Sequence, residues 1–432
     1  MDIEKMYNKV SRKVDQAAVK ITRIKIDQVR FSNNEIDINN SWDVEDASIF
    51  LAKNGRTFMF NLKNENDLDN LLDLSVKALS NIEKNDDFIS LNDKKQKYRN
   101  RKKNNEKIIN FDGSEYVNKF LDEIRPFVKR AGGVLYKKEI SNDIMTPFNN
   151  GEDSINGIEF VARAFNDYDN PAQVSFMTSS DNDLIKLDDA KDELLELSKK
   201  VGKTVEGKDG KYKVIFHPLC FASIASYTIP MASAFQVDSG MSLFAGRMGQ
   251  KIGSSLLTLY DDPADDTMIG ARIMDDEGTS TKKTAVIEKG IVKNYLHNNS
   301  TAKKYNTEST GNAGIINPSP WQINVEAGNE DISDMISSTK KGLFIVNTWY
   351  TRFQDYREGI FSTIPRDGIF YIENGEIRES WGGIRISDSL LNIFKNIEGI
   401  SKETKKVKWW DETLPTRSPY VEVEDVNISR SK

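Results

Sequence analysis

The stretch VIFHPLCFASIASYTIPMASAFQV, residues 214–237, contains no Asp, Glu, Lys or Arg in a protein that is 29% charged. An uncharged run of this length requires an apolar or enclosed environment. It is long enough to span a bilayer, but His217 and the helix-breaking Pro218 and Pro230 are unsuited to a single membrane helix. We therefore expect a buried segment, with a strand ending at Phe216 and a helix that starts at Pro218 and ends or kinks at Pro230.

The overall composition excludes several classes of protein. A chain of 432 residues can form two or three domains, and its mean hydropathy of -0.55 is typical of a soluble protein. The net charge of -6 argues against a general nucleic-acid binder. The single Cys220 excludes internal disulfides and fits a reducing compartment. Because the charged start, MDIEKMYNKVSRKVDQ, lacks the apolar core of a signal peptide, we expect a cytoplasmic protein that binds no membrane.

The chain contains only two histidines, His217 and His297. No metal or catalytic motif that needs two neighbouring histidines can therefore form. His217 stands at the predicted junction between strand and helix, where it is expected to cap the helix. His297 precedes Asn298-Asn299-Ser300 and is expected to lie at the surface or in a turn.

Changes in the hydrophobic period divide the chain into units. Residues 1–90 combine helical spacing with alternating runs around Asn54-Gly55, which predicts an α+β unit with a tight hairpin. Residues 91–110 contain the basic run NDKKQKYRNRKKNNEK and are expected to be a linker or a solvated helix. Residues 111–210 contain two amphipathic helices and four alternating runs, which predict a middle α+β unit.

Residues 211–432 contain the uncharged stretch followed by many short β-like runs. They predict a large β-rich domain that encloses the helix. The predicted fold class is therefore α+β, with N-terminal α/β sandwich units followed by this C-terminal domain.

Three polar clusters in the last unit have side chains suited to chemistry. They are Asp261-Asp262, Asp275-Asp276-Glu277 and Ser309-Thr310-Gly311-Asn312. Carboxylates of this kind can hold Mg²⁺ or Ca²⁺, but they also cap turns. The Thr310-Gly311-Asn312 turn is small enough to approach a peptide backbone, and it can equally be structural.

The order and spacing of these motifs resemble the TldD/PmbA (TldE) metallopeptidase family over nearly the whole chain. The resembling segments are DDP at 261–263, MDDEG at 274–278, AVIEKGIVKNYLHNNSTAKKY at 285–305, ESTGNA at 308–313, REGIFSTIPRDGIFYIENGEI at 357–377, LNIFKNIEGIS at 391–401 and SPYVEVEDVNIS at 418–429. The resemblance implies the family's fold, with a β-rich C-terminal domain.

The resemblance also implies one of two kinds of chain. TldD-like chains carry a His-Glu-x-x-x-His helix and a cysteine near the C-terminus, which hold a catalytic metal. The matching register here reads Ala225-Ser226-Tyr227-Thr228-Ile229-Pro230, without either histidine or the glutamate, and residues 401–432 contain no cysteine. This chain therefore looks like the PmbA/TldE partner, with no catalytic residue, metal ligand or cofactor of its own and zinc expected in the TldD-like chain.

Three hypotheses follow from these observations. The first is a non-catalytic subunit of a heterodimeric peptidase that acts on small or unfolded peptides and binds no nucleic acid. Its candidate chamber or interface residues are Ser309, Thr310, Gly311, Asn312, Phe361 and Ser362. The second is a self-sufficient hydrolase with a metal held by Asp261, Asp262, Asp275, Asp276 and Glu277. The third is a regulatory binding protein without proteolytic activity.

Overall fold

The fold is α+β in this computed structural model, which describes residues 1–101, 104–166, 171–179, 184–314, 317–411 and 414–431. The helices are α1 (Ile3–Ser11), α2 (Leu68–Leu79), α3 (Glu106–Ile109), α4 (Gly113–Ile124), α5 (Leu187–Lys200), α6 (Pro218–Thr228), α7 (Ala234–Asp238), α8 (Asn299–Lys304), α9 (Ile332–Ser338) and α10 (Leu390–Lys395). Short 3₁₀ turns lie at Glu65–Asp67 and Ile229–Ala232.

The strands form two sheets. They are β1 (Gln16–Ser32), β2 (Glu35–Lys53), β3 (Arg56–Leu62), β4 (Arg130–Met145), β5 (Asn150–Phe165), β6 (Ala172–Ser179), β7 (Thr204–Glu206), β8 (Gly210–Phe216), β9 (Leu259–Asp261), β10 (Thr284–Glu288), β11 (Ile291–Val292), β12 (Ile323–Val325), β13 (Lys341–Asp355), β14 (Ile360–Glu373), β15 (Glu376–Gly382), β16 (Ile384–Ser389), β17 (Ile397–Val407) and β18 (Thr416–Arg430).

The uncharged stretch forms the end of β8 and the buried helix α6, as predicted. Pro218 occupies the first turn, and every residue of the helix except Tyr227 is buried. The α-helix ends at Thr228, and the chain continues through Pro230 as a 3₁₀ turn. One side of α6 packs into the core of the large sheet through Phe221 and Ile224, and its other side packs against Val407 and Trp409. Among the described residues, no helix is both long and apolar enough to cross a bilayer.

The first two predicted units share a single six-stranded sheet in the order β3-β2-β1-β4-β5-β6. The long strand β1 joins them, because it pairs with β2 on one side and with β4 on the other. The Asn54-Gly55 hairpin is present between β2 and β3, and both residues have positive φ angles. The exact domain bounds remain a prediction, although the shared sheet makes the first two units one structural layer.

The second sheet has twelve strands, and β18 and β8 lie at its centre. A continuous apolar core joins it to the first sheet, because Phe31 and Phe160 of the six-stranded sheet belong to the same buried cluster as Phe344 and Phe370. Since apolar contacts cross from one sheet to the other, the position of each sheet is determined by packing against its neighbour.

The segment 91–110, predicted to be a linker or a solvated helix, has no regular structure before α3 in the described residues 91–101 and 104–105, but it makes specific contacts with the rest of the chain. The segment runs over the C-terminal domain, and the Tyr98 hydroxyl donates to the Gly278 carbonyl at 2.8 Å. Arg99 and Arg101 both pair with Asp266. Arg101 also pairs with Asp153 at 2.7 Å, where both side chains are at most 5% exposed. Arg99 and Arg101 pack against the fold because they pair with Asp153 and Asp266, which are far from them in the sequence. Composition alone does not indicate these partners.

Breaking this buried ion pair should destabilise the whole protein. We expect Arg101→Met to lower the free energy of unfolding by about 3 kcal/mol, because it leaves Asp153 charged and unpaired in the interior. The matched control is Arg125→Met, since Arg125 pairs with Asp122 at the surface and its loss should cost about 0.5 kcal/mol or less. Urea unfolding measures both values, and equal losses in the two variants would contradict this role for the segment.

Candidate functional site

Two carboxylates of the predicted cluster are fully buried and bind the chain's own backbone. Asp261 accepts hydrogen bonds from the backbone N–H of Trp321 and Gln322, at 2.8 and 3.1 Å, and from the Asn312 amide at 2.6 Å. Burial raises the pKa of Asp261 to about 6. This carboxylate therefore fastens the loop before β12 to the end of β9.

Asp275 has the same structural role in the next turn. Its carboxylate accepts from the backbone N–H of Glu277, Thr279 and Ala313, at 3.0, 2.8 and 2.9 Å. Burial, together with the neighbouring charge of Asp276, raises its pKa to about 7. Asp275 thus ties the MDDEG turn to the segment that follows Asn312.

The other three carboxylates also have partners within the chain. Asp276 pairs with Lys20 at 2.8 Å and with Arg272 at 2.9 Å. Burial opposes its ionisation, but the two cations outweigh burial and hold its pKa below the ordinary range. Asp262 accepts from Asn324 at 3.2 Å. Glu277 accepts from the Asn299 N–H at 3.1 Å, and burial raises its pKa well above the ordinary value.

These carboxylates do not fit a metal site. A hard cation needs several free oxygen ligands that converge on one point, whereas the oxygens of Asp261 and Asp275 already accept backbone hydrogen bonds. Across the described ranges, no group of three or more His, Cys, Asp or Glu side chains is arranged to hold a metal ion.

The predicted chamber residues of the STGNA turn are mostly buried. Thr310 accepts from the His297 N–H at 2.7 Å, and the Gly311 carbonyl accepts from the Trp321 indole at 2.8 Å. Gly311 has φ +74°, and a Cβ placed there would lie 2.7 Å from the Ser280 carbonyl oxygen. A larger residue at 311 would therefore strain the turn. A substitution there could not distinguish a blocked chamber from a distorted fold. Ser309 is half-buried and donates to the His297 carbonyl.

The other predicted chamber residues, Phe361 and Ser362, lie in β14. Phe361 is 2% exposed and packs in the core of the large sheet, while Ser362 accepts a hydrogen bond from Arg385 at 2.9 Å. Like the STGNA turn, these residues have internal partners. Their placement favours a structural role within the domain over a chamber wall.

The two histidines are both buried. His217 caps α6, as predicted: its Nδ1 accepts from the Leu219 N–H at 3.1 Å and its Nε2 lies 3.0 Å from the Glu193 carboxylate. The prediction of a surface position for His297 is wrong, because its side chain packs against Tyr295 and Tyr305. Burial lowers the pKa of His297 to about 4. Hydrophobic periodicity could not reveal this burial, since residues 298–300 are polar.

An open cleft of about 480 Å³ lies where α6 ends. Its walls consist of Ser226, Tyr227, Pro230, Met231, Gln236, Met241, Thr351, Arg352, Phe353 and Tyr356. Phe353 and Tyr356 stack with ring centroids 5.2 Å apart, and Tyr227 packs 6.0 Å from Phe353. Four of the ten residues lie on β13 or in the turn after it, a segment not assigned to any site from the sequence. The aromatic run at 349–356 was the available signal.

The cleft combines apolar walls with polar groups at its rim. Arg352 is exposed, and its guanidinium donates to the Thr351 carbonyl at 3.0 Å. Burial, followed by the nearby charge of Asp411, raises the pKa of the Tyr227 phenol, so this hydroxyl remains protonated and able to donate. Such a cleft can hold an apolar side chain beside a hydrogen-bonding or anionic group.

Residues 209–430 match the C-terminal domain of the PmbA/TldA metallopeptidases, and residues 17–79 match domain 1 of the same proteins. The chain belongs to the PmbA/TldD family. This membership confirms the resemblance that the motifs indicated.

Relatives of this PmbA/TldD chain include archaeal metalloproteases. One from Methanocaldococcus jannaschii is 30% identical over 200 residues, which are 45% of this chain and 44% of that protein. Another, from Methanothermobacter thermautotrophicus, is 28% identical over 177 residues, 40% of this chain and 38% of that protein. The match thus spans less than half the length of these relatives.

The crystal structure of TldE from Thermococcus kodakarensis has the same fold as this PmbA/TldD chain. The TM-score is 0.85, and the superposition covers 99% of both chains at 20% sequence identity. The shared fold therefore extends over nearly the whole chain.

The buried His297 makes stability depend on pH. The pKa of His297 in the folded state, about 4, lies below the ordinary value of 6.5. The stability that the buried neutral imidazole contributes is therefore fully present above pH 6.5 and is lost as the pH falls toward 4. We expect the wild type to lose about 2 kcal/mol more stability than His297→Asn between pH 6.5 and pH 4.5. Urea unfolding at the two pH values measures the difference. Identical losses in both proteins would show that the imidazole does not titrate as its burial requires.

Proposed function

We propose that this chain is the non-catalytic subunit of a TldD/TldE-type heterodimeric metallopeptidase that acts on small or unfolded peptides in the cytoplasm. The observation that carries the proposal is the cleft at the end of α6. It coincides with the register that the family resemblance assigns to the His-Glu-x-x-x-His helix. Ser226 and Pro230 line it in place of the glutamate and the second histidine.

In that register the helix offers no side chain suited to binding a metal. Ala225, in the register of the first histidine, is buried in the core and has no ligand atom. Pro230 removes a backbone N–H and tightens the end of the helix. A chain with this fold and without these ligands could act as a supporting subunit, which stabilises its partner by binding only the folded form.

The cleft walls suggest how such a subunit contributes to peptide handling. The stacked rings of Phe353 and Tyr356 offer an apolar surface, and Arg352 and Tyr227 offer donors to a backbone carbonyl or a carboxylate. A subunit that holds part of a peptide beside the catalytic metal of its partner would position the substrate and exclude water. The chemistry itself would belong to zinc in the TldD-like chain.

The self-sufficient hydrolase is less well supported, because its five carboxylates already bind backbone, amide or cationic partners within the chain. If it were correct, the isolated chain would show peptidase activity dependent on Mg²⁺ or Mn²⁺ and lost in Asp276→Asn. A regulatory binding protein would associate with a partner and cleave nothing.

Peptide cleavage should require both chains. We expect no cleavage of an unfolded peptide by this chain alone, and cleavage when it is co-expressed with a family member that carries the His-Glu-x-x-x-His helix.

Met241→Trp should lower the rate of the mixture by about tenfold, because the added ring fills the cleft that Met241 lines. The matched control is Met248→Trp, at a residue with similar exposure outside the cleft.

Gel filtration and the cleavage rate together test this proposal. Association without cleavage in any mixture would favour the regulatory alternative. Equal rates for the isolated chain and the mixture would contradict a non-catalytic subunit. An unchanged rate in Met241→Trp would remove the cleft from the peptide path while leaving the heterodimer intact.

A further inference from the structure

The outer edge of β2 is unpaired over most of its length. Its neighbour β3 pairs only with residues 47–53, because it is much shorter than β2. Residues 35–46 therefore pair with β1 on one side and border no strand of the described chain on the other. A bulge near Phe31 lies at the hairpin tip and leaves residues 38–46 in regular register. An edge of this kind is a template for another strand.

The register identifies which backbone groups face outward. Asn54 and Gly55 form a two-residue turn, so Lys53 and Arg56 are a hydrogen-bonded pair. Because inward and outward groups alternate along a strand, the N–H and C=O of residues 39, 41, 43 and 45 point away from β1. Among the described residues, the N–H and C=O groups of these four positions make no backbone hydrogen bond to a third segment.

One face of this edge carries an apolar stripe. Ile38, Trp42 and Val44 alternate along β2 and are 37%, 42% and 41% exposed. On the adjacent strand, the half-buried Ile26 and Ile24 stand opposite Trp42 and Val44. A strand added to the edge would extend this face and bury the stripe.

The edge is strongly acidic. The sequence EIDINNSWDVED at 35–46 contains five carboxylates and no Lys or Arg. A second copy paired antiparallel about Asn40 would set Asp37 opposite Asp43, and like charges directly opposite each other destabilise a sheet. The charges therefore disfavour self-association and favour a basic strand.

We propose that the β2 edge binds an extended polypeptide, supplied in trans, in which apolar residues alternate with Lys or Arg. The peptide adds a strand to the six-stranded sheet. Its backbone pairs with the outward groups at 39–45, its apolar side chains cover Trp42 and Val44, and its cations face Asp43. This proposal does not depend on the proposed heterodimer or on cleavage.

Fluorescence anisotropy with the full chain tests the proposal. The probe is a labelled peptide, Lys-Val-Lys-Ile-Lys-Val-Lys-Ile-Lys, with alternate amide nitrogens methylated on its far edge to prevent peptide self-assembly. We expect saturable binding with a Kd of about 10–100 µM that weakens with added salt. The same peptide with Glu in place of Lys should bind at least about tenfold more weakly.

Three variants separate the backbone, apolar and charge contributions. Ser41→Pro removes one outward N–H, which an edge strand tolerates, and should weaken binding by about fivefold or more. Ser41→Ala is its control, because it deletes the hydroxyl that donates to Asp27 and keeps the N–H. Trp42→Ser should weaken binding similarly, whereas Leu74→Ser, at an exposed site on α2, should not. Asp43→Asn should reduce the salt dependence without affecting the fold.

Several outcomes would overturn the proposal. They are the absence of saturable binding by the wild type, equal binding of the Lys and Glu peptides, and undiminished binding by Trp42→Ser. If the Ser41→Pro variant does not fold, the affinity of Trp42→Ser and the salt dependence of Asp43→Asn still test the proposal. Sedimentation that shows a dimer abolished by Trp42→Ser would assign the edge to a second copy instead.

Discussion

The burial of α6 is the constraint on which the rest of the structure depends. A helix without charges cannot face water on any side, so it needs packed neighbours around its whole circumference. The large sheet supplies Phe216 and Val421 on one side, and Val407 and Trp409 close the other. Cys220 is completely buried there, and burial raises the pKa of its thiol, so it acts as an apolar core residue.

Enclosing that helix brings many polar groups into the interior, and the chain satisfies them with its own side chains. Asp261 and Asp275 bind backbone N–H groups of the loops that cover the sheet. Lys20 of the first sheet reaches Asp276, and Arg163 reaches Asp367. These ion pairs join the six-stranded sheet to a loop and a strand of the C-terminal domain, at positions that are far apart in sequence. The carboxylates of the acidic motifs are therefore better explained as internal hydrogen-bond and ion-pair partners than as metal ligands.

Local patterns predicted the fold well. The Asn54-Gly55 hairpin, the helix at Pro218 and the α+β class all follow from turn chemistry and periodicity. The burial of His297 did not follow, because it depends on how the Tyr295 and Tyr305 side chains and the surrounding loops pack around the imidazole. The cleft was missed for the same reason: Tyr227 and Tyr356 are 129 positions apart by their numbers and meet only through the pairing of strands around β13.

Native mass spectrometry of this chain co-expressed with a family member that carries the His-Glu-x-x-x-His helix tests the central claim most directly. We expect a 1:1 complex with one zinc ion, which stays with the other chain when the complex is dissociated, because this chain offers no matching ligands. Zinc that leaves with this chain in stoichiometric amount would show that this chain is not a non-catalytic subunit. The absence of any mixed complex would contradict the central claim equally.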